Sequence, residues 1–222
     1  MKHVLLAAVA SVALLAAPAH ATQITAFGQT SQANTITATA NGTGTQTTIT
    51  TNGTGASVLI DQLFGVVTPP AIAGFFSLTA TSIDAAQTAL GAIIQHYAGS
   101  FSLTSGAGGT GTNELSGTFS DAAFGVNGGT QLSVNVANPP DTLNLTSSVI
   151  PAADLVAPSS FTLSMSNLGA LSLDNATIGA FTSSFSGVAN ATTVAAPEPA
   201  SLGLLAVGML GIRLFARRRP IG

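Results

Sequence analysis

His96 is the only imidazole between Thr22 and Ala196, and a nucleophile–base–acid triad needs one such group between a hydroxyl and an orienting carboxylate. Serines are plentiful, yet no G-x-S-x-G turn is present to expose one as a nucleophile. Seven carboxylates occupy the same stretch: Asp61, Asp84, Glu114, Asp121, Asp141, Asp154 and Asp174. Two of them at the right separation could hydrolyse a glycosidic bond, and several gathered together could hold calcium. The nearest pair in sequence, Glu114 and Asp121, is seven positions apart. Neither EF-hand spacing nor a glycine–aspartate nonapeptide run occurs. Convergence across a β fold leaves calcium open, while Asp141 after Pro139-Pro140 and Asp174 before Asn175 suit turns. Gly106 to Gly111 spells G-x-G-x-x-G. A dinucleotide site would need a helix directly after it in a βαβ unit, whereas residues 112–120 alternate as a strand does. A hairpin loop is expected there. No catalytic residue, cofactor or metal ligand is therefore assigned, and the chain is read as non-enzymatic.

Charge narrows the partners. The five basic side chains are Lys2, Arg213, Arg217, Arg218 and Arg219, so residues 22–196 hold no lysine or arginine. Nucleic-acid affinity rests on such groups neutralising phosphates, so nucleic acid is excluded. An anionic membrane surface is disfavoured for the same reason. A neutral glycan or a protein surface fits better. There is no cysteine, so thiol catalysis and thiolate metal sites are absent and the core must come from packing alone.

The elements that would position any site read as strands. Phe101 and Leu103 alternate with Ser100, Ser102 and Thr104; Phe161, Leu163 and Met165 alternate with Thr162, Ser164 and Ser166. Residues 132–136 and 143–145 repeat the device. Period-two alternation marks a strand with one face buried and one wet, and here the wet faces carry Ser, Thr and Asn. Asn41-Gly42 between residues 35–40 and 45–51 suggests a tight hairpin. Residues 56–64, 75–81, 113–120 and 180–186 bring the expected strands to about ten. The expected fold is all-β, an antiparallel β-sandwich or jelly-roll-like domain over residues 22–186. Residues 82–94 are expected as a short helix capped by Ser82, or as a long loop that enters a strand near Ile93 to Tyr97, as Gly91 and the paired Ile suggest. Residues 187–196 read as a linker, because small residues leave nothing to fill a core. The phenylalanines fall mostly at inward positions and are expected in the core.

Both ends carry address signals. Lys2, the apolar run 4–17 and Ala19-His20-Ala21 have the three parts of a secretory signal peptide over residues 1–21, cut after Ala21. At the other end Pro197-Glu198-Pro199 precedes small and apolar residues 200–212, Arg213, residues 214–216 and Arg217-Arg218-Arg219. As a helix, residues 200–216 would run about 25 Å, near the lower limit for crossing a bilayer core. Positive flanks stay cytoplasmic, which places the body outside.

This tripartite terminus, residues 197–219, resembles the PEP-CTERM sorting signal of Gram-negative bacteria. Arg213 inside the helix and Pro220-Ile221-Gly222 after the arginines depart slightly from it. The resemblance implies Sec export and signal peptidase processing, then transient anchoring in the inner membrane. It further implies cleavage near Pro-Glu-Pro by a membrane-embedded exosortase, and delivery to the cell surface or extracellular matrix. Its bearers are typically low-charge, Ser/Thr/Gly-rich proteins of organisms that make exopolysaccharide and biofilm. The processing residues it implies are Ala19, Ala21, Pro197, Glu198, Pro199, Arg217, Arg218 and Arg219. A sorting tag is an address and assigns no activity to the body. The expected role is a structural surface or matrix protein; the alternative is a secreted carbohydrate-binding β-sandwich module, with or without calcium.

Overall fold

Alternating sequence becomes alternating burial. Along the second half of β5 (Val66–Ser82), Phe76, Leu78 and Ala80 are buried while Ser77 and Thr79 face outward. The structure, a computed structural model, describes residues 21–64, 66–89, 92–125 and 130–192. These belong to one compact unit, Ala21–Thr193. Regular structure among the described residues is strand throughout, apart from 3-10 turns at Ala107–Gly109 and Ala152–Asp154. The other strands are β1 (Ala21–Gln29), β2 (Ile36–Ala40), β3 (Thr47–Thr51), β4 (Ala56–Leu63), β6 (Gln87–Ala89), β7 (Ala92–Gly106) and β8 (Thr110–Phe124). They continue with β9 (Gln131–Asn135), β10 (Thr142–Thr146), β11 (Val156–Ser166), β12 (Leu173–Asp174), β13 (Thr177–Ile178) and β14 (Phe181–Thr192).

All pairings are antiparallel, and four wall positions are each shared by two strands in line, β5 and β6 following one another along β7. β1 opposes residues 192–186 of β14 and β2 opposes residues 183–181 of the same strand. In the same way β4 and β3 follow one another along β5, and β9 and β10 along β8. Counted so, eight positions run up and down in chain order, and the β1–β14 and β5–β7 pairings close the circuit. The antiparallel all-β expectation holds, as one sheet closed into a barrel around one core. The jelly-roll connectivity is corrected: that fold requires Greek-key crossings, whereas here hairpins between chain neighbours suffice.

Phenylalanines fill the interior. Phe27, Phe76, Phe101, Phe119, Phe124, Phe161 and Phe185 are buried. Phe101 stacks on Phe161 at 3.9 Å between centroids, and Phe76 lies 4.9 Å from Phe27 and 5.0 Å from Phe185. Room for these rings comes from glycine at inward positions. A Cβ on Gly187 would lie 2.2 Å from Phe27 Cζ, and one on Gly117 would lie 2.5 Å from Phe101 Cε1. Both distances are far inside the about 3.5–4.0 Å of ordinary carbon contact.

Four sequence expectations change. The described residues of the stretch 82–94 form no helix: β6 folds back on β7, with Gln87 opposite Ile94 and Ala89 opposite Ala92, and the expected strand from Ile93 to Tyr97 lies within β7. The expected linker from residue 187 is strand as far as Thr192, with Ala189 and Ala191 fully buried between β1 and β11. In the same segment Gly187 is the complement of its β1 partner Phe27, whose ring fills the space a Cβ would need. β1 was not expected at all. The Asn41-Gly42 hairpin is wider than a two-residue turn. The Asn41 carboxamide accepts from Thr45 N, and the positive φ (63°) falls on Gly44.

Candidate functional site

Of the processing residues, Ala21 alone is described: it is exposed, opens β1 and pairs with Thr192. Ala19, Pro197, Glu198, Pro199, Arg217, Arg218 and Arg219 lie outside the described residues, as does the expected anchor. Among the described residues, no helix is long and apolar enough to cross a membrane.

The residues with chemical potential are distributed over the walls. His96 sits in β7, and its ring Nδ1 lies 2.6 Å from Asp84 Oδ2. The His96 backbone N–H donates to Asp84 Oδ1 at 2.9 Å, and Ile83 N–H donates back to His96 O. Both side chains are about one-third exposed (33% and 34%), so solvent screens the pair and its energetic weight is small. Its geometric effect is to fasten the turn at residues 83–86 to β7. The Asp84–His96 pairing is the contact that sequence reasoning missed. A residue twelve positions away becomes a neighbour only once the β5–β7 register is known.

The other acids do not converge. Asp141 Oδ2 accepts from Asn135 N, the turn role expected of it. Glu114 occupies an irregularity between β7 and β8, only 7% exposed, and desolvation raises its pKa. Among the described residues, no group of three or more His, Asp or Glu side chains could hold a metal ion. The Gly106–Gly111 stretch is a hairpin with positive φ at Gly108, Gly109 and Gly111.

Beside His96, a buried polar cluster joins four strands. Gln95 Nε2 donates to Asp84 O and Thr177 Oγ1, while Gln95 Oε1 accepts from Tyr97 OH, Thr177 Oγ1 and Ile178 N. Thr47 donates its hydroxyl to Ile178 O, and Thr47 N donates to Ser82 Oγ. Thr47, Gln95, Tyr97 and Thr177 are all fully buried. Burial without partners would cost about 1–3 kcal/mol per group; here each group is matched. The network fastens the β12–β13 hairpin to the barrel wall. It also withdraws the single tyrosine from the surface, where it could have stacked on a sugar.

The outer wall is the largest uniform feature. One cross-strand row runs Thr182, Thr37, Thr50, Thr79, Ser100, Thr118, Asn144 across seven strands. A parallel row runs Ser77, Ser102, Ser116, Thr146. No charge interrupts either row. In adjacent positions hydroxyls bond each other, as Ser120 does with Thr142 at 2.7 Å. In the long row, the side chains of Thr37, Thr50, Thr79, Ser100, Thr118 and Asn144 have no protein hydrogen-bond partner among the described residues. Their donors and acceptors, about 4.8 Å apart from strand to strand, are turned to whatever surrounds the protein.

Residues 195–219 match the PEP-CTERM protein-sorting motif. The chain is thus a PEP-CTERM motif-containing protein, and the motif marks it as an exported target of exosortase. No curated protein and no solved structure matches the chain.

Proposed function

We propose that this chain is a non-enzymatic structural protein of the cell surface or extracellular matrix, exported by the Sec machinery and trimmed by signal peptidase. Residues 200–216 hold it briefly in the inner membrane of a Gram-negative cell until an exosortase acts at Pro197-Glu198-Pro199. The observation that carries this reading is the sorting motif at residues 195–219 joined to a body without lysine or arginine. Its matrix partner is a neutral glycan of the exopolysaccharide or biofilm, and the unpartnered row from Thr37 to Asn144 supports that choice. Low charge keeps repulsion between copies small, at some cost in solubility.

Deleting the exosortase tests the processing step. The expected result is a larger, membrane-bound species on a blot, and an unchanged size and location would overturn it. Retention on neutral glycans, measured with and without EDTA, tests the partner. Retention insensitive to EDTA is expected, and no retention on any glycan would remove the partner while leaving the sorting untouched.

A further inference from the structure

Asn-Gly-Thr-Gly occurs twice, at residues 41–44 and 52–55, and the two copies turn the chain in the same way. In each, the N–H of the last glycine donates to the asparagine carbonyl, at 2.9 Å from Gly44 and 2.7 Å from Gly55. Both of these glycines have positive φ, 63° and 81°. Both asparagine N–H groups are bonded as well, Asn41 to Gln46 O and Asn52 to Thr35 O. The side chains differ. Four hydrogen bonds hold the Asn41 carboxamide: Oδ1 accepts from Thr45 N, Gln46 N and Thr43 Oγ1, and Nδ2 donates to Thr45 Oγ1. The Asn52 carboxamide is exposed and has no protein partner among the described residues. Beside it, the Gly53 N–H has no acceptor among those residues, and the space where a Cβ would stand is open.

We propose that Asn52 is a self-modifying position, converted with time to isoaspartate and aspartate, while Asn41 is protected by its own turn. The Gly53 nitrogen attacks Asn52 Cγ: a C–N bond forms, the Cγ–Nδ2 bond breaks, and the Gly53 amide proton leaves with Nδ2 as ammonia. Water then opens the five-membered imide. Entry at the backbone carbonyl gives isoaspartate, and entry at the former side-chain carbonyl gives aspartate. Water is the only other reactant. The attack requires Cγ to swing onto the next nitrogen, and orientation of this kind sets the rate of an intramolecular reaction. No side-chain hydrogen bond opposes that swing at Asn52, whereas four must break at Asn41. Even a small net contribution from each separates the two rates by at least about tenfold. The consequence is chemical ageing of a body that carries seven acids and no lysine or arginine. Each event adds a negative charge two residues from Thr50 of the hydroxyl row. Isoaspartate also puts an extra carbon into the backbone of the turn that the Gly55 N–H closes.

The full chain in mild detergent is aged at mildly alkaline pH beside a sample unfolded in urea, until position 52 has reacted in the urea sample. Both are digested, and each asparagine–glycine peptide is read by mass and by separation of its isomers. The third such step, at residues 127–128, lies outside the described residues and is scored separately. Expected in the folded chain are isoaspartate and aspartate at position 52, formed at least about ten times faster than at position 41. In urea the clamp is gone and the local sequences are alike, so the two rates converge. Gly53→Ala, whose methyl meets open space, leaves Tm unchanged and slows position 52 alone, because the added carbon hinders the attacking nitrogen. Equal rates in the folded chain, a faster position 41, or a difference that persists in urea overturns the proposal. So does a position 52 that stays intact in the folded chain, one that yields aspartate without isoaspartate, or one whose rate Gly53→Ala leaves unchanged.

Discussion

Gly187→Ala probes the closure of the sheet at the place where the sequence suggested a linker. Gly187 pairs with Phe27 across the β1–β14 seam, and it faces the ring. A methyl there would lie 2.2, 2.7 and 2.8 Å from Phe27 Cζ, Cε1 and Cε2. The ring must therefore retreat by about 1 Å or more to regain ordinary contact. It cannot do so freely, because it is 3% exposed and held by Phe76 at 4.9 Å and Phe185 at 6.4 Å. Overpacking of this kind costs about 1–3 kcal/mol, and the short distances place the substitution near the upper end. At roughly 2–4 °C per kcal/mol for a domain of this size, Tm should fall by about 4–12 °C. The partner substitution Phe27→Ala removes the obstacle at its own cost of about 3–5 kcal/mol.

In that background Gly187→Ala should cost almost nothing, giving a coupling of about 2 kcal/mol between the two sites. Urea unfolding followed by circular dichroism of the four proteins measures the cycle. Additive effects, or a neutral Gly187→Ala in the parent chain, would refute the seam, since the methyl would then have no ring to meet.

Three further outcomes follow from buried groups. Burial raises the Glu114 pKa above its ordinary value near 4.5, so the folded chain holds a proton that the unfolded chain has released. Stability is then highest in acid and falls as pH climbs from about 4.5 through the folded-state value; Glu114→Gln should flatten that part of a Tm-versus-pH curve and raise Tm at pH 7. Desolvation likewise pushes the Tyr97 hydroxyl above its ordinary 10.0. The unfolded chain alone ionises just above that pH, so stability is lost as pH rises past 10. Phenolate absorbance, clean because Tyr97 is the only tyrosine and tryptophan is absent, should therefore appear together with unfolding and not before it. Thr25 Oγ1 is buried without a partner, so Thr25→Val should be neutral or stabilising by up to about 1 kcal/mol, read from the urea midpoint.

Legibility in the sequence followed regularity of the backbone. Strands such as β11, where Phe161, Leu163 and Met165 alternate without interruption, declare both their existence and their inward face. β1 is hidden because its register shifts between Gln23 and Thr25. That shift buries Ile24 and Phe27 at a spacing of three and erases the period of two. The C-terminal half of β14 is hidden for the opposite reason: its period is intact, but its inward residues are Gly187, Ala189 and Ala191. Small residues declare no inward face by themselves, and the glycine makes sense only beside the Phe27 ring that faces it from β1. The contact between Asp84 and His96 required the hairpin register, and the buried Gln95 cluster required knowing that residues 177 and 178 return to the wall. Sorting information has no such dependence on folding. Pro197-Glu198-Pro199, an apolar run and three arginines are read in order along the chain, so that part was visible at once.

Intact mass of the exported protein tests the central claim most directly, because it reports both ends of the mature chain. The expected mass corresponds to a start at Thr22 and an end at or beside Pro197-Glu198-Pro199, without the arginine cluster and with any attached sugar added. A mature surface form that still extends to Gly222 would contradict the account.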